Sequence, residues 1–190
     1  MNLAALALIA ASYSVDPGHT TIGFAVKHLM VSTTRGQFDK FDATVQIDDA
    51  DPARSRVDVT IDAASVDTRD ARRDEHLRSA DFLDVAKYPT LVFKSTEVKK
   101  AAGGQLLVTG NLTLHGATRP VTLTVSSIAP PAKAPWGATV RGATATGRLS
   151  RKDFGLVWNK VLETGGVAVG DEVVLTIDAE LVEQEHAWRR

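Results

Sequence analysis

The sequence predicts an all-β fold, an extended antiparallel β-barrel of eight strands with a short helical insertion. Apolar and polar residues alternate along most of the chain, with the period of a half-buried strand. Loops rich in glycine, proline or aspartate separate these segments, as expected for strands joined by hairpins. One long segment, residues 65–89, breaks the alternation and accounts for the helical insertion. About eight strands is also the size at which a barrel can hold a small ligand.

One domain accounts for the 190 residues, of which 44% are hydrophobic. We assign residues 13–183 to the barrel, residues 1–12 to an apolar tail or partial export signal, and residues 184–190 to a charged tail. The apolar run has no preceding lysine or arginine and is shorter than most signals. These features favour a tail packed on a cytoplasmic protein, whereas a partial signal would place the protein in the periplasm or outside the cell.

The composition argues against several classes of function. The formal net charge is −1 and the basic residues are dispersed, so the chain offers no basic surface for nucleic acid. No cysteine is present, which excludes disulfides, thiolate nucleophiles and cysteine-ligated metals. The five histidines form no HxH or HExxH motif, and no serine lies in a GxSxG motif. We therefore predict no metal site, no catalytic residue and no required cofactor.

The alternating segments follow one another with short connections. In chain order they are residues 13–16, 22–28, 35–47, 57–62, 91–98, 105–115, 121–125, 136–149 and 172–182. Phe24 and Val26 lie on the apolar side of the second segment, and Val59 lies on that of the fourth. Phe38 and Phe41 fall on opposite parities of the third segment. A bulge between them would bring both rings to the inner face and bend the strand, as barrels require.

The helical insertion combines a charged helix with an apolar plug. Residues 68–78 are almost all charged or polar, so this helix cannot bury a core face, and Asp67 or Thr68 is its predicted N-cap. Phe82 and Leu83 follow in an apolar cluster before a proline ends the segment. We interpret the charged part as one or two turns on the barrel rim. Its Arg/Asp/His cluster would either bind an anionic head group or form a solvated, salt-bridged face.

The strands after the insertion carry the remaining inward candidates. Phe93, Leu112 and Leu123 lie on the apolar parity of their segments. Residues 130–135 contain three prolines and are predicted to form a loop, because proline cannot donate a ladder hydrogen bond. Trp158 lies in a connection that ends in a glycine-rich run, which we interpret as a loop at the barrel mouth.

Motifs along nearly the whole chain carry a family resemblance. In order they are DPGHT at 16–20, IGFAVKH at 22–28, RGQF at 35–38, SVDT at 65–68, RDEHL at 73–77, SADF at 79–82, YPT at 88–90, GNLTLHGATRPV at 110–121 and RKDFG at 151–155. Their order and spacing from Tyr13 to Val182 resemble the YceI-like family of polyisoprenoid-binding, lipocalin-like barrels. Two positions depart from it: residues 142–144 replace a stretch that often holds an aromatic residue, and Arg69 stands where glycine is common.

The resemblance implies an apolar tunnel for an isoprenoid chain such as a quinone or polyprenyl lipid. Together with strand parity, it gives the expected tunnel residues Phe24, Val26, Phe38, Phe41, Val59, Phe82, Leu83, Phe93, Leu112, Leu123 and Trp158. The expected head-group residues at the mouth are His28, Arg73, Asp74 and His76. The protein would carry, store or sequester a long-chain isoprenoid or fatty lipid, and would not be an enzyme. Transient membrane contact and a homodimer are left open.

Two other functions fit the sequence. His28 or His76, paired with Asp74 or Asp81, would act as general acid and base on an apolar substrate. This mechanism requires the pair to lie within hydrogen-bond reach inside a cavity. Alternatively, the strands would form a β-sandwich interaction module with a filled core, which an internal tunnel would exclude.

Overall fold

The computed structural model describes residues 10–163 and 165–184, which form twelve β-strands and one α-helix. In chain order these are β1 (Ala11–Val15), β2 (Thr21–His28), β3 (Ser32–Phe38), β4 (Phe41–Ile47), β5 (Arg56–Asp62), β6 (Val66–Asp67), α1 (Ala71–Arg78), β7 (Thr90–Lys100), β8 (Leu106–Leu114), β9 (Ala117–Ile128), β10 (Ala132–Lys133), β11 (Thr139–Ser150) and β12 (Val169–Glu183). Ala11 and Ser12, predicted as tail, belong to β1 because they pair with Ile47 and Gln46. The rest of the predicted tails, residues 1–9 and 185–190, lies outside the described residues.

Eight strands close into an antiparallel barrel, which confirms the predicted fold class. Their order is β11-β9-β8-β7-β5-β4-β1-β12, and β12 pairs with β11 to complete the circle. The closing ladder runs from the Val140–Val182 pair to the Ser150–Glu172 pair. Since the sheet closes on itself, these strands present no long unpaired edge to another chain.

β1 and β2 occupy the same edge of β12 one after the other. Val15 in β1 pairs with Leu181, and Ile22 in β2 pairs with Ile177. β3 and β6 then continue the sheet from β2. This layer extends the barrel wall beyond β1 and β4 and ends beside α1.

A break between β3 and β4 takes the place of the predicted bulge. The amide nitrogens of Asp39 and Lys40 donate to the carbonyl and hydroxyl oxygens of Ser65, at 3.1 and 3.0 Å. These bonds satisfy the backbone where the sheet ladder is interrupted. Phe38 and Phe41, on either side of the break, are both half-buried against the main hydrophobic cluster.

The two ends of the barrel are built differently. The helical end carries the β2–β3 turn, α1 with the residues that follow it, and the connection between β11 and β12. The opposite end carries the β4–β5 loop and the connection from β9 to β11. Ala132 and Lys133 in that connection pair with Val140 and Thr139, so the prediction of a loop without strand is wrong for these two residues. These two residues form a short edge strand flanked by prolines. Proline has no backbone N–H group, and at the edge of a sheet that group is not required for pairing.

Helix α1 begins after Asp70, whose side chain accepts a hydrogen bond from the Arg73 amide at 3.1 Å. The prediction of Asp67 or Thr68 as N-cap is wrong. Arg69 has a φ of 64°, and this left-handed residue separates the earlier positions from the helix. Glycine would adopt the same φ with less strain. Within residues 10–163 and 165–184, no helix is long and apolar enough to span a membrane.

Two phenylalanine rings lie over glycines of neighbouring strands. A Cβ added to Gly110 in β8 would lie 2.5 Å from Phe93 Cζ and 2.6 Å from the Lys94 carbonyl oxygen. A Cβ added to Gly36 in β3 would lie 2.5 Å from Phe24 Cζ. All three distances are below van der Waals contact. The missing side chains therefore allow each ring to lie against the barrel wall.

We expect Gly110→Ala to lower the free energy of unfolding by about 1–3 kcal/mol, because the new methyl group overlaps the Phe93 ring and a backbone carbonyl. Gly142→Ala is the matched control, since its added Cβ meets nothing closer than Ala129 Cβ at 3.9 Å. It should change that free energy by less than about 1 kcal/mol. Urea unfolding followed by circular dichroism measures both variants, and equal losses would contradict the overlap.

Candidate functional site

A cavity of about 870 Å³ lies inside the barrel and extends between its two ends. All eight barrel strands contribute to its wall, mostly with valine, leucine, isoleucine, alanine and phenylalanine side chains. Polar side chains are concentrated at the ends. They include Lys27, His28, Asp70, Arg72, Arg73, His76 and Arg151 at the helical end, and Gln46, Asp48, Asp49 and Ser55 at the opposite end. The barrel core is therefore not filled, and the alternative of a β-sandwich with a filled core is wrong.

Most of the predicted tunnel residues line this cavity. They are Phe24, Val26, Phe38, Val59, Phe82, Leu83, Phe93, Leu112, Leu123 and Trp158. Their contact with a ligand stays a prediction. Phe41 has the inward parity of β4 but pairs with Ile61 at the first residue of the strand, and it packs on the hydrophobic cluster without lining the cavity. Parity identifies the face of a strand and not the position along the bore.

Asp74, expected to face a head group, is instead buried beneath α1. Its Oδ1 accepts hydrogen bonds from Thr68 N at 2.9 Å and from Thr68 Oγ1 at 2.6 Å. Arg73 lines the cavity, yet its Nε donates to Thr68 Oγ1 at 2.7 Å and its Nη2 to the Thr68 carbonyl at 2.8 Å. Both side chains therefore hold α1 against the residue that follows β6. The structure corrects the placement of Asp74, which does not line the cavity.

Arg72 is a cavity-lining residue that the sequence did not distinguish from its neighbour. Its side chain is exposed at the helical end, and within residues 10–163 and 165–184 it makes no hydrogen bond or ion pair. Arg72 and Arg73 lie in the same charged run, so only the orientation of α1 decides which guanidinium is engaged. His28, at the end of β2, is likewise exposed and lines the cavity.

Three rings meet at the helical end. His76 lies edge-on to Phe82 and to Trp158, with ring centroids 5.0 and 4.9 Å apart, and the Phe82 and Trp158 centroids are 5.1 Å apart. Such edge-to-face arrangements are favourable for aromatic rings. His76 Nε2 lies 2.9 Å from Asp81 Oδ2, and this contact fixes the orientation of the imidazole. The predicted apolar plug and the Trp158 connection therefore form one aromatic group at the mouth.

The His76–Asp81 contact has the distance that the acid–base alternative requires, but not the enclosure. The two side chains are 41% and 53% exposed, and Asp81 does not line the cavity. Asp74, the other candidate carboxylate, is committed to Thr68. This placement gives the enzyme alternative no support.

A buried arginine holds the connection that carries Trp158. The Arg151 guanidinium donates to the carbonyl oxygens of Leu156, Trp158, Val169 and Gly170 and to Oδ1 of Asp171. Burial lowers the pKa of Arg151, and the ion pair with Asp171 acts in the opposite direction. The sequence signal for Arg151 is its parity, because it continues the inward-facing alternation of β11 one position past the end of that strand.

The opposite end is lined by carboxylates. Arg141, buried near the start of β11, donates to the Ala129 carbonyl at 2.8 Å and to both oxygens of Asp49 at 3.0 Å. A hydrogen bond from the Asp51 amide, followed by the side chain of Arg54, lowers the pKa of the buried Asp48. Asp48 is therefore ionised at neutral pH, and it is paired with Arg54 as Asp49 is paired with Arg141.

A group of three potential metal ligands lies outside the cavity. Within the described residues, the ligand atoms of Asp16, His19 and Glu180 lie within 4.8 Å of one another. His19 Nδ1 is 3.0 Å from Asp16 Oδ2, and this hydrogen bond raises the pKa of His19 and lowers that of Asp16. The ion pair accounts for the arrangement at the turn between β1 and β2.

A closed antiparallel barrel around an apolar cavity defines a lipocalin-like barrel protein. Within that class the chain belongs to the YceI family, because the YceI-like domain model matches residues 13–181. Protein YceI of Escherichia coli O157:H7 is 43% identical over 179 residues, which cover 93% of this chain and 90% of that protein. A UPF0312 protein of Vibrio cholerae is 46% identical over 149 residues, which cover 77% of this chain and 78% of that protein.

Solved structures share the barrel. BcnA of Burkholderia cenocepacia superposes with a TM-score of 0.76 at 27% identity, covering 87% of this chain and 98% of that one. The YCEI protein of Campylobacter jejuni gives a TM-score of 0.70 at 31% identity, covering 84% and 90%. A polyisoprenoid binding domain from Saccharophagus degradans, at 16% identity, has the same fold with a TM-score of 0.64, covering 92% and 99%.

We expect Arg151→Met to lower the free energy of unfolding by about 3 kcal/mol or more, because it leaves several buried carbonyl oxygens without this donor and Asp171 with Lys152 as its remaining ion-pair partner. Arg148→Met is the matched control three residues earlier in the chain, since Arg148 forms an exposed pair with Glu172. It should cost less than about 1 kcal/mol. Urea unfolding measures both variants, and near-ultraviolet circular dichroism reports the packing of Trp158. Similar small losses in the two variants would contradict the role assigned to Arg151.

Proposed function

We propose that the protein binds a long-chain isoprenoid lipid of the quinone or polyprenyl type, or a similar amphiphile, and carries, stores or sequesters it. The observation that carries this proposal is the cavity, about 870 Å³ of space with an apolar wall and polar side chains at its ends. Ligand cavities in proteins hold about 300–1,000 Å³. The space is thus near the upper limit, which suits a long chain better than a compact metabolite.

Burial of the chain would supply the binding free energy. Each buried methylene contributes about 0.8 kcal/mol, so several isoprene units offset the cost of ordering the ligand. The aliphatic wall presents no hydrogen-bonding partner to such a chain. Selection among ligands therefore depends on the length and width of the bore and on the polar groups at its ends.

The relatives support the same ligand class. The Saccharophagus degradans domain that shares this fold is a polyisoprenoid binding domain. One difference in this chain concerns the shape of the bore. Ala143 lines the cavity within the stretch where the family often has an aromatic residue, so a bulkier chain fits there. The ligand of a relative is thus a guide to the class and not to the particular lipid.

The head group is proposed to lie at the helical end. At the opposite end the guanidinium groups of Arg54 and Arg141 are paired with Asp48 and Asp49, so they are not available to an anionic head group. At the helical end, Arg72 offers an unengaged guanidinium, and His76 lies in the aromatic group with Phe82 and Trp158. An arginine and aromatic rings together suit the carbonyl oxygens and flat ring of a quinone, or the phosphate of a polyprenyl phosphate.

We expect denaturing extraction of the purified protein, followed by lipid mass spectrometry, to release an isoprenoid or related lipid. The stripped protein should take up an isoprenoid quinone or a polyprenol when offered. Ala145→Phe should reduce this uptake by about tenfold or more, because Ala145 points into the bore and a phenyl ring would occupy the volume of several methylenes.

Thr146→Phe is the matched control for that substitution. Thr146 is the next residue on β11 and faces solvent, so the same ring is added outside the barrel. Uptake should remain unchanged. A protein that is empty as purified and takes up neither lipid would refute the proposal, and equal uptake by the two variants would refute the position of the chain.

We expect Arg72→Gln to weaken binding of an anionic or quinone-headed lipid by about threefold at low salt, since an exposed guanidinium contact is modest and screened. At high salt the difference should disappear, and binding of a plain hydrocarbon chain should not change at either salt concentration. Arg73→Gln is the comparison, because it frees Thr68 and should weaken both ligands through displacement of α1. Equal losses of both ligands in Arg72→Gln would show that the charged residues form only a solvated face.

A further inference from the structure

We propose that the helical end docks on an anionic lipid bilayer through an exposed apolar surface, and that lipid passes between bilayer and cavity there. This surface, the mouth tip, consists of Leu29, Met30, Val31, Val157 and Val161. The last four are between 57% and 83% exposed. Single exposed apolar residues are ordinary, but a group of them marks an interaction site. The proposal rests on the lipid binding proposed above.

The mouth tip comes from two segments that are in contact with each other. Leu29 to Val31 form the turn between β2 and β3, and Val157 and Val161 lie in the connection between β11 and β12. The Leu29 amide donates to the Ala168 carbonyl at 2.8 Å, which joins the two segments. A Cβ added to Gly166 in the second segment would lie 3.6 Å from Met30 Cγ.

The β2–β3 turn has a conformation that its residues disfavour. Leu29 and Met30 have φ values of 51° and 61°, and the Val31 amide donates to the His28 carbonyl at 3.1 Å. This is the type I′ geometry, for which Asn-Gly is the preferred pair. Leucine and methionine are strained there, and 38% and 57% of their surfaces remain exposed. Partial burial is a weak reason to place these two residues in a strained turn, whereas an external apolar contact is a stronger one.

The mouth tip lies on the rim of the cavity. His28, directly before the turn, and Ala168 and Val169, directly after the second segment, line the cavity. An isoprenoid chain that leaves the cavity at this end would emerge beside the apolar side chains of the tip. If the tip is inserted among lipid acyl chains, the isoprenoid chain passes from one apolar environment to another without crossing water.

Two lysines on these segments favour an anionic membrane surface. Lys27 and Lys160 are exposed on the segments that carry the tip, and within residues 10–163 and 165–184 neither ammonium group has an ion-pair partner. Glu163, two residues after Val161, is also exposed and offsets one of these two charges. Apolar insertion beside free lysines is the usual combination for binding at anionic lipid surfaces. A second copy of this chain would bring the same lysines together and would cover the cavity rim. A bilayer therefore fits the surface better than a dimer does.

The test measures binding of the full-length protein to vesicles of phosphatidylcholine with phosphatidylglycerol, and to vesicles of phosphatidylcholine alone, by co-flotation. The informative variant combines Leu29→Asn with Met30→Gly, which removes two apolar side chains and installs the pair that the turn prefers. We expect it to lower the vesicle-bound fraction by about tenfold and to raise the melting temperature. Trp136→Asn is the control, since Trp136 is 67% exposed on the connection at the opposite end. It should leave vesicle binding unchanged.

Loss of vesicle binding in the double variant, without loss in Trp136→Asn, supports docking at the mouth tip. Docking is overturned if the unaltered protein binds neither kind of vesicle, or if the double variant binds vesicles as well as the unaltered protein does. It is overturned as well if the double variant and Trp136→Asn lose binding equally. It is also overturned if sedimentation shows a dimer that the double variant abolishes. Lipid uptake from detergent solution is measured in parallel, because a protein that binds vesicles but takes up no isoprenoid would refute the proposed cargo and leave the docking surface standing.

Discussion

Closure of the sheet through the β11–β12 ladder is the constraint on which the rest of the structure depends. In an open sheet, the apolar faces of these strands would need a second layer to cover them. In the closed barrel the apolar faces of the strands lie opposite one another across the bore. The barrel therefore needs no second layer to cover them, and the bore is not filled by side chains. β1 and β2 also pair with successive parts of the same edge of β12. This pairing extends the wall toward the helical end and places the mouth there.

The alternation of residues predicted an all-β fold and the inward faces of its strands, but it also fitted a sandwich. A strand has a side-chain period of two, so one apolar parity identifies one face, and Phe24, Phe93 and Leu123 all point into the bore. Position along the bore is a different quantity. It depends on the stagger between strands, which local sequence does not contain, and Phe41 accordingly lies on the inner face without reaching the cavity. The helix start was missed because it depends on the positive φ of Arg69.

The polar residues at the mouth were harder to assign than the wall. Arg72, Arg73 and Asp74 are adjacent in sequence, yet one is exposed at the cavity, one binds Thr68 while lining the cavity, and one is buried. Charge alone cannot separate these roles, because each follows from where Thr68 and the α1 axis lie. Arg151 was hidden for the same reason, since its carbonyl partners extend from Leu156 to Gly170 and form a network only after the chain has folded.

Arg141 near the start of β11 and Arg151 directly after its end are both buried, and this has a consequence for how the strands find their register. β11 is rich in glycine, alanine and threonine, and such a strand specifies its pairing weakly, because a slip of two residues preserves which side chains point inward. Here a two-residue slip in either direction would move Arg141 or Arg151 into the apolar bore, away from Asp49 or Asp171. An unpaired charge in that environment is strongly unfavourable. The arginines thus act as stops at both ends of a strand whose other side chains would tolerate sliding.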